Sequence, residues 1–306
     1  MPPARLPPTR PEPARPEPVR LEAARYARNA HFRLDGTGPR GPGRPVRRPV
    51  LLLHGLGGDC AQPWALLDRR PGLRRIAPDL RAHGATGYIG PDDAFSFDGL
   101  ADDAVALLDR LCVTGPAIVA GVSMGAGIAL NLARRYPDRV TALALVRPAW
   151  LDRPLPPHLG AYPLVAGLLR QHGPREGLAR FERSGAYQQV RSVSESGAAS
   201  LRGQFTAPYA VERAVRLDRM PRSAPSPDPA ALRLITQPAL VVGAPRDPVH
   251  PLELAEATAA ALPEASLRVV MARDEDPSGQ ANQIAGEVAR FVAQADQADR
   301  AGQRLS

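Results

Sequence analysis

Residues 117–137 read AIVAGVSMGAGIALNLARRYP. Small and β-branched apolar residues run from Ala117 to Val122, a serine follows between two glycines, and apolar positions then recur at three-to-four spacing until Pro137. That pattern predicts a buried strand over 117–122, an abrupt turn, and a helix over 125–137 that the proline stops. Gly121 and Gly125 flank Ser123 because a turn this tight leaves no room beside the backbone for other side chains. Such a turn raises the Ser123 hydroxyl above the end of the sheet, over a helix N-terminus. The G-x-S-x-G spacing alone is weak in a chain with 27 glycines. Its position between a strand and a helix gives it weight, against the plainer reading of an unreactive Gly-Ser turn.

The same alternation extends outward in both directions. PVLLLH (49–54) predicts a strand, followed by a glycine turn and a helix near 61–69; LRRIAPD (73–79) predicts a second strand. FDGLADDAVALLDRL (97–111) is an amphipathic helix whose Asp98, Asp102 and Asp103 lie near its positive end and read as solvated. VTALALV (140–146) is a strand. After a long break come PALVVGA (238–244), a helix over 252–262, SLRVVM (266–271) and a last helix over 280–295. Strands alternating with helices imply an α/β fold: a mainly parallel sheet flanked by helices. Reactive groups in such sheets gather at the carboxyl ends of the strands. The break predicts an inserted, mostly helical cap over 148–232, between core segments 29–147 and 233–296.

Composition and charge bound the function. The 306 residues carry 39 basic and 31 acidic side chains, a net +8, and every basic residue is arginine. Residues 1–48 hold 11 arginines against Glu12, Glu17, Glu22 and Asp35, which leaves only +1 for the remainder. The core is therefore close to neutral, and with 5% aromatic residues it lacks the footprint of a nucleic-acid-binding domain. No apolar stretch reaches the roughly 18 to 20 residues that a bilayer crossing needs. The N-terminus alternates Pro and Arg where a secretory signal would be apolar, so the expectation is a cytoplasmic protein without membrane contact. Arg5, Arg10, Arg15, Arg20 and Arg25 recur every five residues among prolines, which predicts a disordered tail over 1–28. Residues 30–48 suggest one or two weak edge strands, and 297–306 a flexible C-terminus. Cys60 and Cys112 show no metal-ligand spacing and read as reduced, buried residues.

His54-Gly55-Leu56-Gly57-Gly58 follows the first core strand. A glycine-rich turn there lets the backbone approach a substrate, and the N–H groups of Leu56 and Met124 would form a two-donor oxyanion hole. His54 reads as a structural hydrogen-bonding residue.

The HGLGG turn, Pro78-Asp79-Leu80-Arg81-Ala82-His83-Gly84, the GVSMG turn, RRYPDRV (134–140) and Gly243-x-x-x-Asp247-Pro248-Val249-x-Pro251 together resemble the α/β-hydrolase superfamily. The resemblance covers about 49–151 and 234–295. It implies that Ser123 is a nucleophile and that Asp247 orients the base; read without the family, Asp247 has the plainer alternative of being only a turn former ahead of Pro248. The superfamily places its base, a histidine, after the last strand. Here the stretch after Met271 contains none, and Asp274, Gln280 or Asn282 stands in its place. None of these is a good base for a hydroxyl. A substitute is then needed: His250, which shares the loop of Asp247, or His83, His158 or His172. Three residues of separation could hold His250 too near the acid and too far from Ser123.

The leading expectation is hydrolysis of a small-molecule ester, lactone or amide through an acyl-Ser123 intermediate. The alternative is a catalytically impaired protein that binds an acyl-type ligand; transfer to an acceptor other than water is a third reading. No cofactor and no metal are implied. The pairs Asp102/Asp103 and Asp274/Glu275/Asp276 lack convergent His or Cys ligands and read as solvated helix termini.

Overall fold

A computed structural model describes residues 16–35 and 47–305, with side chains as far as residue 301. Its strands are β1 (Phe32–Leu34), β2 (Arg48–Leu53), β3 (Leu73–Pro78), β4 (Ala117–Val122), β5 (Val140–Val146), β6 (Ala239–Gly243) and β7 (Ala265–Val269). Its helices are α1 (Glu17–Asn29), α2 (Ala61–Trp64), α3 (Phe97–Arg110), α4 (Met124–Arg135), α5 (Ala161–Glu182), α6 (Gly185–Val193), α7 (Glu195–Thr206), α8 (Val215–Arg219), α9 (Leu252–Ala261) and α10 (Pro277–Leu305). The strands form one sheet in the order β1-β3-β2-β4-β5-β6-β7. Only β1, on the edge, runs antiparallel to its neighbour; the other pairings are parallel.

Parallel strands buried on both faces need apolar side chains on both. In β2, Val50 and Leu52 pack on one side with Cys60, Leu67 and the α10 residues Ile284, Val288 and Val292. Leu51 and Leu53 point to the other side, into a larger core with residues of α1, α3, α4 and the cap. The cap fills the interval between β5 and β6, and its long α5 bends at Gly173 (φ 69°), just before Pro174. The elements thus match the expected α/β architecture with a helical cap. The helix expected over 61–69 is shorter, ending at Trp64.

Four expectations are corrected. The segment Glu17–Asn29, expected to be disordered, is a helix whose Ala23, Tyr26 and Ala27 are buried. Residues 1–15 and 36–46 lie outside the described residues. The C-terminus, expected to be flexible from 297, continues α10 to Leu305, and Arg48 pairs with Asp299 and Asp296 on that helix. Cys60 is buried, but Cys112 is exposed, because it sits in the turn after α3 with φ +54°. Asp102 and Asp103 are not solvated: both are buried on the inner face of α3. Asp103 takes two hydrogen bonds from the Arg81 guanidinium, at 2.7 and 2.6 Å, and Asp102 accepts from Tyr136 and pairs with Arg135.

Candidate active site

The carboxyl ends of β2, β4, β5 and β6 each deliver one part of a single site. Ser123 stands between β4 and α4 with φ 54° and ψ −109°, a strained conformation for a residue with a side chain. The glycines on either side are required by close approach. A Cβ at Gly121 would lie 2.1 Å from the carbonyl oxygen of Gly125, and one at Gly125 would lie 2.3 Å from that of Leu53.

Asp247 lies in the loop after β6. Its Oδ1 accepts the backbone N–H groups of Val249 and His250, both at 3.1 Å. This side-chain-capped turn folds the loop back on itself, as Asp does when it bonds the backbone two residues on. The imidazole of His250 is thereby carried back over the carboxylate. Nδ1 donates to Asp247 Oδ2 at 2.9 Å, and Nε2 is 2.9 Å from Ser123 Oγ. The concern that three residues of separation would hold His250 away from Ser123 is therefore removed: the ring reaches both partners.

The electrostatics suit a neutral imidazole facing a hydroxyl. Burial pushes the His250 pKa down; Asp247 opposes this, while Arg147 and Arg273 add to the lowering. Burial alone would raise Asp247, but His250, Arg147 and the backbone amides hold it well below the usual carboxylate range. With Asp247 ionised, Nδ1 must be the donor. Nε2 is then the acceptor for the Ser123 hydroxyl.

The remaining expected residues fall around this line. The glycine turn after β2 passes against Ser123, close enough that a Cβ on Gly55 would sit 3.3 Å from the Ser123 Cβ. Among the described residues, the Leu56 N–H has no intramolecular acceptor. The Met124 N–H begins α4, ahead of that helix's hydrogen-bond ladder. His54 is structural: its Nε2 accepts from Leu80 N–H and its Nδ1 donates to the Gly55 carbonyl. His83 and His158 bond the carbonyls of Arg81 and Ala149, and His172 is exposed. Of the residues at the customary position of the base, Asp274 accepts from Ser196 N–H and Gln280 donates to the Met271 carbonyl. Asn282 is exposed on α10.

Two residues that the sequence did not bring forward belong to the site. Arg147 follows β5 with φ +46° and donates from Nη1 to the same Asp247 oxygen that holds His250, at 3.1 Å. Gln204 of the cap lies directly over Gly57, where its amide occupies the space a Cβ would need. Arg147 had a faint signal, as the first residue beyond a core strand. Gln204 had none.

Among the described residues, His31, Cys60 and Asp79 bring three potential metal-ligand atoms within 4.8 Å of one another. Asp79 is already engaged: it accepts from Cys60 N–H, Ala85 N–H and His31 Nδ1. Burial pushes the Cys60 thiol up to about 11, which disfavours the thiolate that a metal would bind. The cluster is a hydrogen-bonded clasp between β1, α2 and the loop after β3.

A family model described as alpha/beta hydrolase fold matches residues 48–276. The chain belongs to the α/β-hydrolase family. A pimeloyl-[acyl-carrier protein] methyl ester esterase of Aromatoleum aromaticum is 34% identical over 237 residues, covering 72% of this chain and 89% of that enzyme. Lipase LipV of Mycobacterium tuberculosis is 36% identical over 113 residues, 37% of this chain and 40% of the lipase. The chain thus aligns with less than two thirds of the length of some curated relatives. Among solved structures, an esterase from Thermogutta terrifontis superposes with a TM-score of 0.63 at 25% identity, covering 87% of this chain and 93% of that one. No helix among the described residues is long and apolar enough to cross a membrane.

Proposed function

We propose that this α/β-hydrolase cleaves a small carboxylic ester, lactone or amide through an acyl-enzyme on Ser123. The observation that carries the reading is the continuous line Ser123 Oγ, His250 Nε2, His250 Nδ1, Asp247 Oδ2, with 2.9 Å at each contact. His250 accepts the Ser123 proton as Oγ attacks the substrate carbonyl. Asp247 holds the ring in the required tautomer and balances the imidazolium that forms. The N–H groups of Leu56 and Met124 receive the developing oxyanion, each worth about 3 kcal/mol in the transition state. Collapse expels the alcohol or amine, protonated by His250, and water attacks the acyl-serine with the same ring as base. Relatives that are esterases and a lipase support the ester class. The competing reading, an impaired ligand-binding protein, presupposed a missing base; the position of His250 favours hydrolysis instead.

The test is covalent labelling. A fluorophosphonate probe should label the wild-type protein and leave Ser123→Ala unlabelled, while short p-nitrophenyl esters should turn over above the Ser123→Ala background. Replacing His250 by Ala should lower kcat by up to about 10⁶-fold. Wild-type rates no faster than those of Ser123→Ala would remove the enzyme reading, and full activity in His250→Ala would remove His250 as base.

A further inference from the structure

Away from Ser123 and His250, a cavity of about 330 Å³ lies between the glycine turn, the segment that follows β3, and the cap stretch 207–216. That volume is within the range of small-molecule sites. Exposed His31, Arg33, Asp59, Gly84, Ala85 and Pro208 line its mouth, and its floor holds two buried arginines, Arg213 (7% exposed) and Arg216 (2%).

These arginines are unusual in their partners. Arg213 donates to the carbonyls of Gly84 and Thr86, and Arg216 to those of Ala82 and Arg213. Among the described residues neither forms an ion pair with a carboxylate, and the buried Nε of Arg216 has no acceptor. Burial and the neighbouring Arg213 press the Arg216 pKa down to about 10. Of the two carboxylates lining the cavity, Asp79 keeps its charge but turns its oxygens to the Cys60 and Ala85 amides and to His31, and Asp59 is at the exposed mouth; neither is paired with Arg213 or Arg216. Carbonyls solvate a guanidinium but do not neutralise it, and a buried charge without a counter-charge is costly. Two side by side at the floor of a cavity offer forked donors of the geometry that carboxylate and phosphate oxygens fit.

We propose that this cavity binds the anionic group, carboxylate or phosphate, of a small ligand on Arg213 and Arg216. Arg33 at the mouth adds a third positive charge to draw the ligand in. The site does not depend on the hydrolase reading, since its ligand contacts are separate from Ser123 and His250.

Titration calorimetry on the full chain tests the proposal, with inorganic phosphate and glutarate as probes, neutral glutaramide as control, and chloride holding ionic strength constant. At least one anion should bind and raise Tm, with glutaramide doing neither; which anion binds decides between phosphate and carboxylate. Arg216→Met should weaken that binding at least tenfold. Because Arg216 also bridges the cap to the Ala82 carbonyl, Pro208→Glu serves as a second variant, placing a repelling charge at the exposed mouth and weakening binding severalfold without touching the floor. The proposal is overturned if neither anion binds more tightly than glutaramide, or if binding survives unchanged in the variants that fold.

Discussion

Arg147 is the residue whose effect is easiest to separate from mere structure. It hydrogen-bonds neither Ser123 nor the His250 ring, yet it shares Asp247 Oδ2 with His250. Its positive charge, like that of Arg273, lowers the affinity of His250 for a proton. Replacing Arg147 by Gln removes that charge, so His250 should become more basic. The acid limb of the kcat/KM profile should then shift to higher pH, by about half a unit to one unit, the size typical of a nearby charge. Activity at pH 8 should change less than activity at pH 6. A residue that only braces the loop would lower the rate equally across the profile. At the turn itself the limit is steric. Gly125→Ala would press a methyl group into the Leu53 carbonyl and should cost more than about 2 kcal/mol in a denaturant titration.

At the scale of elements, α1 has the most to lose. Its buried stripe of Ala23, Tyr26 and Ala27 packs the helix onto the body of the protein, and the Tyr26 hydroxyl donates to the Asp79 carbonyl. Glu22 on the same helix accepts from Tyr88 and pairs with Arg81, which in turn holds Asp103. Tyr26→Ala should therefore destabilise by about 3–5 kcal/mol, as for other large-to-small core changes, and Tyr26→Phe by about 1 kcal/mol. Equal stability of the two variants in urea would show that α1 is not docked as described. The sequence concealed this helix because PEPVRLEAARYARN continues the Pro/Arg repeat of the preceding residues, and only three of its positions are buried. By contrast, β4, the Ser123 turn and α4 were legible, since period, glycine spacing and the stopping proline are all local signals. His250 was legible only as a candidate. Its reach depends on how Asp247 caps the amides of Val249 and His250, a conformation that residue spacing does not specify.

For the whole molecule, the same burial that lowers the His250 pKa ties folding to pH. His54, His83, His158 and His250 all have pKa values lowered in the fold, in each case chiefly by burial. The unfolded chain takes up protons on these rings near pH 6.5, where the folded protein still refuses them. The stability they contribute is therefore complete above that pH and declines as the pH falls through it, by up to about 1.4 kcal/mol per pH unit for each ring that stays neutral. Asp103 works the other way. Burial pushes it up to about 7 against the pull of Arg81, so at most one proton is gained on folding where four are refused. Histidines set the net sign, and Asp247, held low in the fold, extends the loss at more acidic pH, below about 4. Urea titrations at pH 8, 6.5 and 5 should give a small fall between the first two, where the unfolded rings are only half protonated and Asp103 offsets part of the loss, and a steeper fall between the second and third. A free energy of unfolding that is flat from pH 8 to 5 would mean that these imidazoles are not buried as neutral rings, and the protonation state assigned to His250 would fall with them.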